Sequence, residues 1–314
     1  MPNLRPLTLA LVLSGLFSST LCANPAPLPA APQQDQQAGT SARPVRILAS
    51  LPVTHGLGEI LLKDTGVVLQ RAADANLPGS RQSAYFSGRG AAALQKLASN
   101  ADAVIGLRSL WPDDPLYPMA RRSNVRIVEV DAARPVDGSL PGIAVQPGQG
   151  VDGLNSQPWL SSNNLGRMAD VIAADLVRLA PEAKPKIESN LATLKQRLLK
   201  LSADSETRLA KADNLSVVSL SERFNYLVGG LNLDLIEVDA RSDEQWTPEA
   251  LAKLGETLKD AEVKVVLDHR QPPEAVKSTI SQAGSTLLVL DTEGSDPLTG
   301  LQDSINQVLA TLAP

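Results

Sequence analysis

The chain has two histidines, His55 and His269, one cysteine, Cys22, and only 3% aromatic residues among its 314. Protein-only zinc sites use three or four imidazole, thiolate or carboxylate ligands, so a site of the histidine- or cysteine-rich kind is hard to build here. A lone cysteine makes no disulfide within the chain. Basic residues do not outnumber acidic ones: 29 against 34 give a net charge of −5. That is the wrong sign for a phosphate backbone and argues against nucleic acid as a partner. The apolar stretch Leu7 to Phe17 falls short of the roughly 20 residues that cross a bilayer as a helix.

Catalytic signatures are missing as well. No Gly-x-Ser-x-Gly elbow occurs, and Asp268 and His269 are chain neighbours, poorly placed to form an orienting pair. Gly56-Leu57-Gly58 lacks the third glycine of a dinucleotide loop, since Leu61 stands in its place. The expectation is a protein that is not an enzyme and holds no cofactor of its own.

What is present begins with an export signal. In residues 1–23, Arg5 supplies a weak positive start, Leu7 to Phe17 an apolar region, and Leu21-Cys22-Ala23 a small-residue cleavage site. Leu21 stands where a lipoprotein signal needs a small residue, so soluble export to the periplasm is expected. Cleavage after Ala23 leaves a mature chain without cysteine. Residues 24–44, rich in Pro, Ala and Gln, have no apolar period and read as a disordered spacer. About 270 residues follow, enough for two lobes.

Each lobe alternates short apolar strands with amphipathic helices. The N-terminal lobe, 45–185, predicts strands at Val45–Leu51, Val67–Arg71, Ala103–Gly106 and Arg126–Val130, with helices at Gly58–Leu62, Gly88–Asn100 and Pro115–Ser123. The C-terminal lobe, 213–314, predicts strands at Ser216–Leu220, Leu235–Val238, Val263–Leu267 and Thr286–Leu290. Its helices are Glu222–Val228, Pro248–Lys259, Pro273–Ala283 and Asp296–Leu312. Thr247-Pro248-Glu249 combines an N-cap, a proline at the first helical position and an early acid. This alternation means an α/β fold with parallel sheets covered by helices on both faces. Between the lobes, Lys186 to Ala212 carries Ile187, Leu191, Leu194, Leu198 and Leu201 at steps of four, three, four and three. One helix of roughly 40 Å joining two lobes is the expected architecture, and it limits how far they open.

Four segments, in order, resemble a known family. Pro78-Gly79-Ser80-Arg81-Gln82-Ser83 is similar to Pro-Gly-x-x-x-His, with Ser83 at the histidine. Gln157-Pro158-Trp159-Leu160-Ser161-Ser162 is similar to His-x-Trp-Leu-Asp-Pro, with Gln157 at the histidine and Ser161 at the aspartate. Ser221-Glu222-Arg223-Phe224-Asn225-Tyr226 is similar to His-x-x-Phe-x-Tyr, and Leu288-Val289-Leu290-Asp291 to a terminal Leu-Asp. The family is that of the periplasmic substrate-binding proteins of zinc and manganese ABC importers, cluster A-I, and the likeness covers everything after the spacer. It implies two lobes joined by one long rigid helix, an inner-membrane ABC permease as partner, and a metal as cargo. The departures are at the ligand positions: Ser83, Gln157 and Ser221 replace donor side chains, Asp291 alone is kept, and the His-rich metal-collecting loop is missing.

Hydroxyl and amide groups are poor ligands for zinc but bond well to oxygen-rich organic molecules. The ligand-binding cleft expected from the resemblance comprises Ser83, Tyr85, Gln157, Ser221, Arg223, His269, Arg270, Asp291 and His55. Tyr85 is the residue for stacking on a flat ring, and Arg223 and Arg270 are suited to carboxylate, hydroxamate or catecholate oxygens. Trp159 and Trp111 read as packing residues or rim. Each charged candidate has a competing reading as an ordinary solvated surface group. Three functions stay open. The first is a receptor for a metal wrapped in a siderophore or metallophore, as in pyoverdine-iron importers where a metal-type receptor works beside a second periplasmic binding protein. The second is a direct metal-ion receptor with a site rearranged around His55, His269 and Asp291. The third is a periplasmic scaffold or chaperone without a small ligand.

Overall fold

The computed structural model describes residues 43–136, 138–148, 155 and 157–313; the expected signal and all but the last two spacer residues lie outside the described residues. Arg43, one of those two, is tied down by Asp102, whose carboxylate accepts from both ends of its guanidinium at 2.6 and 3.0 Å. Among the described residues no helix is long and apolar enough to cross a membrane.

The first sheet contains β1 (Arg46–Ala49), β2 (Val68–Arg71), β3 (Ala103–Gly106) and β4 (Val128–Asp131), all parallel, in the order β2-β1-β3-β4. The second repeats that order as β6-β5-β7-β8, from β5 (Ser216–Ser219), β6 (Asp234–Val238), β7 (Val265–Asp268) and β8 (Thr286–Val289). All eight predicted strands are present, each within two residues at its start. Helices α1 (Pro52–Leu62), α2 (Gly79–Ser87), α3 (Ala91–Ala98), α4 (Leu116–Arg121) and α5 (Ser162–Leu179) belong to the first half. Helix α6 (Lys184–Leu209) is followed by α7 (Asn225–Gly230), α8 (Pro248–Asp260), α9 (Glu274–Gln282) and α10 (Pro297–Leu312). Thr247 caps α8 as expected, its hydroxyl accepting from the Ala250 amide at 3.3 Å.

Three expectations need correction. Helix α1 starts at Pro52, not Gly58: Pro52 sets the first turn, and Gly56 and Gly58 are sites of close approach within the helix. A Cβ at Gly56 would lie 2.4 Å from Pro297 Cδ and 2.5 Å from the Ser295 carbonyl oxygen. Helices α2 and α5 were not expected. Their signals are short stripes, Gln82 and Phe86 in α2 and Leu165, Met168, Ala169, Ile172 and Leu176 in α5. The joining helix spans 184–209, two residues earlier at its start and three at its end than predicted.

The packing explains why the halves hold together. Ile47, Ala49 and Ile105 on one face of the first sheet, and Val217, Val265 and Leu267 on one face of the second, share a single buried cluster. Leu57 and Leu61 of α1, Met168 and Ile172 of α5, Ile187, Leu194 and Leu198 of α6, and Ile305 and Val308 of α10 complete it. Each fully buried side chain of this kind contributes about 1.5–3 kcal/mol. The outer faces have separate cores. Leu48 and Val104 pack with Phe86, Leu94 and Leu116, while Val218 and Val266 pack with Leu254, Leu258, Val276 and Ile280.

Candidate functional site

In parallel sheets the strand C-terminal ends leave loops free to build a site. Here those ends meet at one junction. The chain leaving β1 runs into α1, and Gly56 of that helix abuts Ser295 and Pro297, which follow β8. Trp159, from the turn before α5, donates its indole N–H to the Thr292 carbonyl at 2.9 Å. Trp111, in the loop after β3, meets Trp159 edge to face with centroids 6.1 Å apart.

The wall of the first sheet carries polar groups that burial has left unmatched. The Gln82 side chain, 0% exposed, donates its amide to the Ser50 backbone carbonyl at 3.1 Å. Its own carbonyl oxygen is buried without a hydrogen-bond partner, as are the Ser50 hydroxyl and the Trp111 indole nitrogen. Arg71, the last residue of β2, and Arg108, just past β3, also keep a buried unpartnered nitrogen, NH1 and Nε respectively. Arg108 grips Glu129 through NH1 at 2.9 and 3.1 Å. Burial holds the Glu129 carboxyl above its usual range despite that arginine. Such unmatched atoms cost about 1–3 kcal/mol each when nothing fills them, so their concentration at strand ends marks this wall.

On the second sheet, Ser221 follows β5 and is buried. Its hydroxyl accepts from the Arg223 amide at 3.3 Å, and its carbonyl accepts from the Ser219 hydroxyl at 2.5 Å. Arg223 reaches across to the β8 loop, donating to Thr292 Oγ1 and Glu293 Oε1, both at 2.9 Å. Gln157 is buried beside Trp159, its backbone N–H donating to Asn155 Oδ1 at 3.0 Å. Asn155 Nδ2 in turn donates to the Glu222 carbonyl. Asp291 is exposed and turned to its own loop, accepting from the Glu293 amide at 2.9 Å.

The remaining expected residues are placed elsewhere. Ser83 lies on the exposed side of α2, and its carbonyl accepts from the Ser87 hydroxyl at 2.8 Å. The neighbour Gln82 occupies the inward position. Tyr85 packs on the outer core of the first sheet, edge to face with Phe86 at 5.3 Å and with the Arg89 guanidinium over its ring. His55 is buried in α1. Arg71 NH2 lies 2.8 Å from its Nδ1 and Glu59 Oε2 3.4 Å away. Burial, then Arg71, push its pKa down, opposed by Glu59. His269 Nδ1 stands 3.2 Å from Asp268 Oδ1, which accepts from the His269 amide at 2.7 Å. Arg270 pairs with Asp243 at 2.6 Å on the surface. Among the described residues no three His, Cys, Asp or Glu side chains gather as metal ligands, so His55, His269 and Asp291 do not come together. The donors present do not fit a zinc ion held by the protein alone.

Three cavities flank α6, away from these residues. One of about 350 Å³ lies between the start of α5, Glu206 and Tyr226; a second of about 340 Å³ lies between Arg167 and Lys195; a third of about 490 Å³ lies between Arg197, Arg208 and Leu298.

Two parallel sheets joined by one continuous helix, with loops converging at the strand ends, define a periplasmic substrate-binding protein of the metal-receptor type. The model of the ZnuA family, zinc-uptake complex component A, periplasmic, matches residues 92–313, and the chain belongs to that family. Solved structures agree on the fold. A zinc-bound ZnuA deletion mutant is 20% identical, with a TM-score of 0.65 over 86% of this chain and 99% of that one. The metal-dependent lipoprotein YcdH from Bacillus subtilis is 19% identical, with a TM-score of 0.68 over 86% and 100%. An FpvC mutant from Pseudomonas aeruginosa is 19% identical, with a TM-score of 0.68 over 85% and 99%. Comparison with curated proteins gives no match. Family and fold make this chain a periplasmic receptor of an ABC importer of the metal-uptake class.

Proposed function

We propose that the cargo of this receptor is a metal already wrapped in an organic chelator, a siderophore or metallophore, which it presents to an inner-membrane ABC permease. A second periplasmic binding protein would share the handling of that chelate. In this reading the chain is exported by residues 1–23 and carries lobes 45–185 and 213–314 around the joining helix. The observation that supports it is the character of the junction. Ser50, Gln82, Trp111, Gln157, Ser221 and Arg223 supply hydroxyl, amide, indole and guanidinium groups. Such groups recognise the oxygens and N–H groups of an organic ligand and compete badly with water for a bare borderline ion. Pockets that bind organic molecules are built this way, with a few polar groups fixing orientation between apolar walls.

Native mass spectrometry of the protein taken from its own periplasm tests the reading. The expected spectrum shows the mass of an organic chelate, with or without its metal, released on unfolding. A one-to-one adduct of a bare zinc or manganese ion, retained after dialysis, favours direct metal binding instead. A protein that carries nothing and binds no member of a ferric-chelate panel favours a scaffold.

A further inference from the structure

The inward-facing residue of α2 is Gln82, one position before the residue that sequence likeness puts at the ligand, and its environment is unusual. Both Gln82 and Ser50 are almost wholly buried, at 0% and 1% exposure. The Ser50 carbonyl can only accept, so the amide nitrogen of Gln82 is the end that faces it, at 3.1 Å. This fixes the other end, a carbonyl oxygen, in a position where it finds no donor. The Ser50 hydroxyl and the Trp111 indole N–H are unmatched too. All three belong to one corner. Ser50 follows β1 directly, and a Cβ at Gly79, one turn before Gln82 on α2, would lie 2.7 Å from the Trp111 ring and 3.2 Å from Leu51. A helix interior position given to glutamine, with Phe86 as its apolar neighbour one turn on, spends a buried place on a group that packs no better than leucine.

We propose that Gln82, Ser50 and Trp111 form a subsite that reads a neutral hydrogen-bonding group of the cargo, an amide or hydroxyl. Gln82 Oε1 accepts its proton, the Trp111 indole donates to its oxygen, and the Ser50 hydroxyl takes whichever role remains. The proposal rests on the chelate reading above and deepens it by assigning residues that select the organic part of the cargo rather than the metal. These atoms are fully covered in this state, so the subsite requires α2 and the Trp111 loop to part locally and admit the group.

The test is a tryptophan-fluorescence titration of wild type, Gln82→Met and Ser50→Ala with three ferric probes: a linear trihydroxamate, a tricatecholate and pyoverdine. A zinc titration runs in parallel, and each variant's melting curve is recorded. Methionine matches the volume of glutamine without its polar end, and Ser50→Ala keeps the backbone carbonyl that Gln82 bonds. The expected result is wild-type binding of at least one chelate, weakened about tenfold or more in each variant, with melting temperatures equal to or above wild type. Chelate binding unchanged in both variants overturns the subsite and leaves the chelate reading standing. A wild type that binds none of the three probes overturns both. If Gln82→Met does not fold, Ser50→Ala alone decides by the same criterion.

Discussion

The Trp159 indole N–H and the Thr292 backbone carbonyl, 2.9 Å apart, join the turn before α5 to the loop after β8. Both residues are buried, so the bond is shielded from competing water. Arg223 reinforces the same loop by gripping Thr292 and Glu293. The loop that begins at Asp291 is thereby held against the first half of the chain. Loss of the indole donor strands a buried carbonyl. Trp159→Phe is expected to cost about 1–3 kcal/mol, read as a lowered midpoint in urea unfolding. An unchanged midpoint would show that the junction does not depend on this bond.

Gly56 makes a second tie across the junction. A methyl group there would overlap Pro297 and the Ser295 carbonyl, and backbone cannot yield as a flexible side chain can. Gly56→Ala therefore gains helix propensity but forces α1 and the start of α10 apart. The expected balance is a loss of about 1–3 kcal/mol, the range for overpacking. A stabilised variant would mean that the contact relaxes freely.

How far the sequence reveals this molecule depends on which residues carry the signal. The central strands are short, buried apart from the first residues of β1 and β5, and rich in Val, Ile and Leu, so β1, β3, β5 and β7 stand out without knowledge of their partners. Helix α5 was hidden because its start coincides with the Trp159-Leu160 motif, although Leu165, Met168, Ile172 and Leu176 repeat at helical spacing behind it. The site was harder. Whether residue 82 or 83 faces inward depends on the phase of a nine-residue helix, and a motif alignment does not set that phase. Ser50 and Thr292 are ordinary residues in the sequence and gain meaning only when two distant loops meet. His269 and Arg270 followed a strand end as expected, yet Asp243 occupies Arg270, and His269 Nδ1 stands 3.2 Å from Asp268 Oδ1 without a hydrogen bond.

The shared core predicts limited opening. Helix α6 packs against α1, α5 and α10, and its buried stripe belongs to the same cluster as both sheets. Swinging the halves apart would expose that stripe, whereas a hinge of two extended strands would not. Small-angle scattering with and without cargo should show a nearly constant radius of gyration. A change of several ångströms would contradict this.

Direct metal affinity should be low. With Ser83 turned outward, Gln157 and Ser221 offering amide and hydroxyl, and Asp291 exposed, the protein presents one carboxylate where zinc needs several strong donors. Zinc affinity of the chelator-stripped protein should fall below that of a histidine-bearing relative by roughly a hundredfold or more. Isothermal titration reads this directly, and submicromolar one-to-one binding would refute it.

The last prediction concerns acid. Arg71 NH2 stands 2.8 Å from His55 Nδ1, and because a guanidinium only donates, the imidazole accepts there and is neutral with its proton on Nε2. Burial and the neighbouring arginine both lower its pKa, while Glu59, 3.4 Å away and largely exposed, offsets part of that. In the unfolded chain His55 takes up a proton near pH 6.5. Below that pH the unfolded state binds more protons than the folded one, so folding stability falls as pH falls, until the folded-state pKa is passed. The slope from this one group is at most about 1.4 kcal/mol per pH unit. Asp114, Glu129 and Asp175, whose pKa values burial raises, act with the opposite sign at lower pH. A single-residue comparison separates the two effects. His55→Gln keeps an acceptor for Arg71 but cannot titrate. Urea unfolding of both proteins between pH 8 and pH 5, a range set by the histidine reference value, should give a constant difference above about pH 7. Below it, wild type should lose stability faster than the variant. Parallel profiles across the whole range would show that His55 is not the neutral, arginine-bonded group described here.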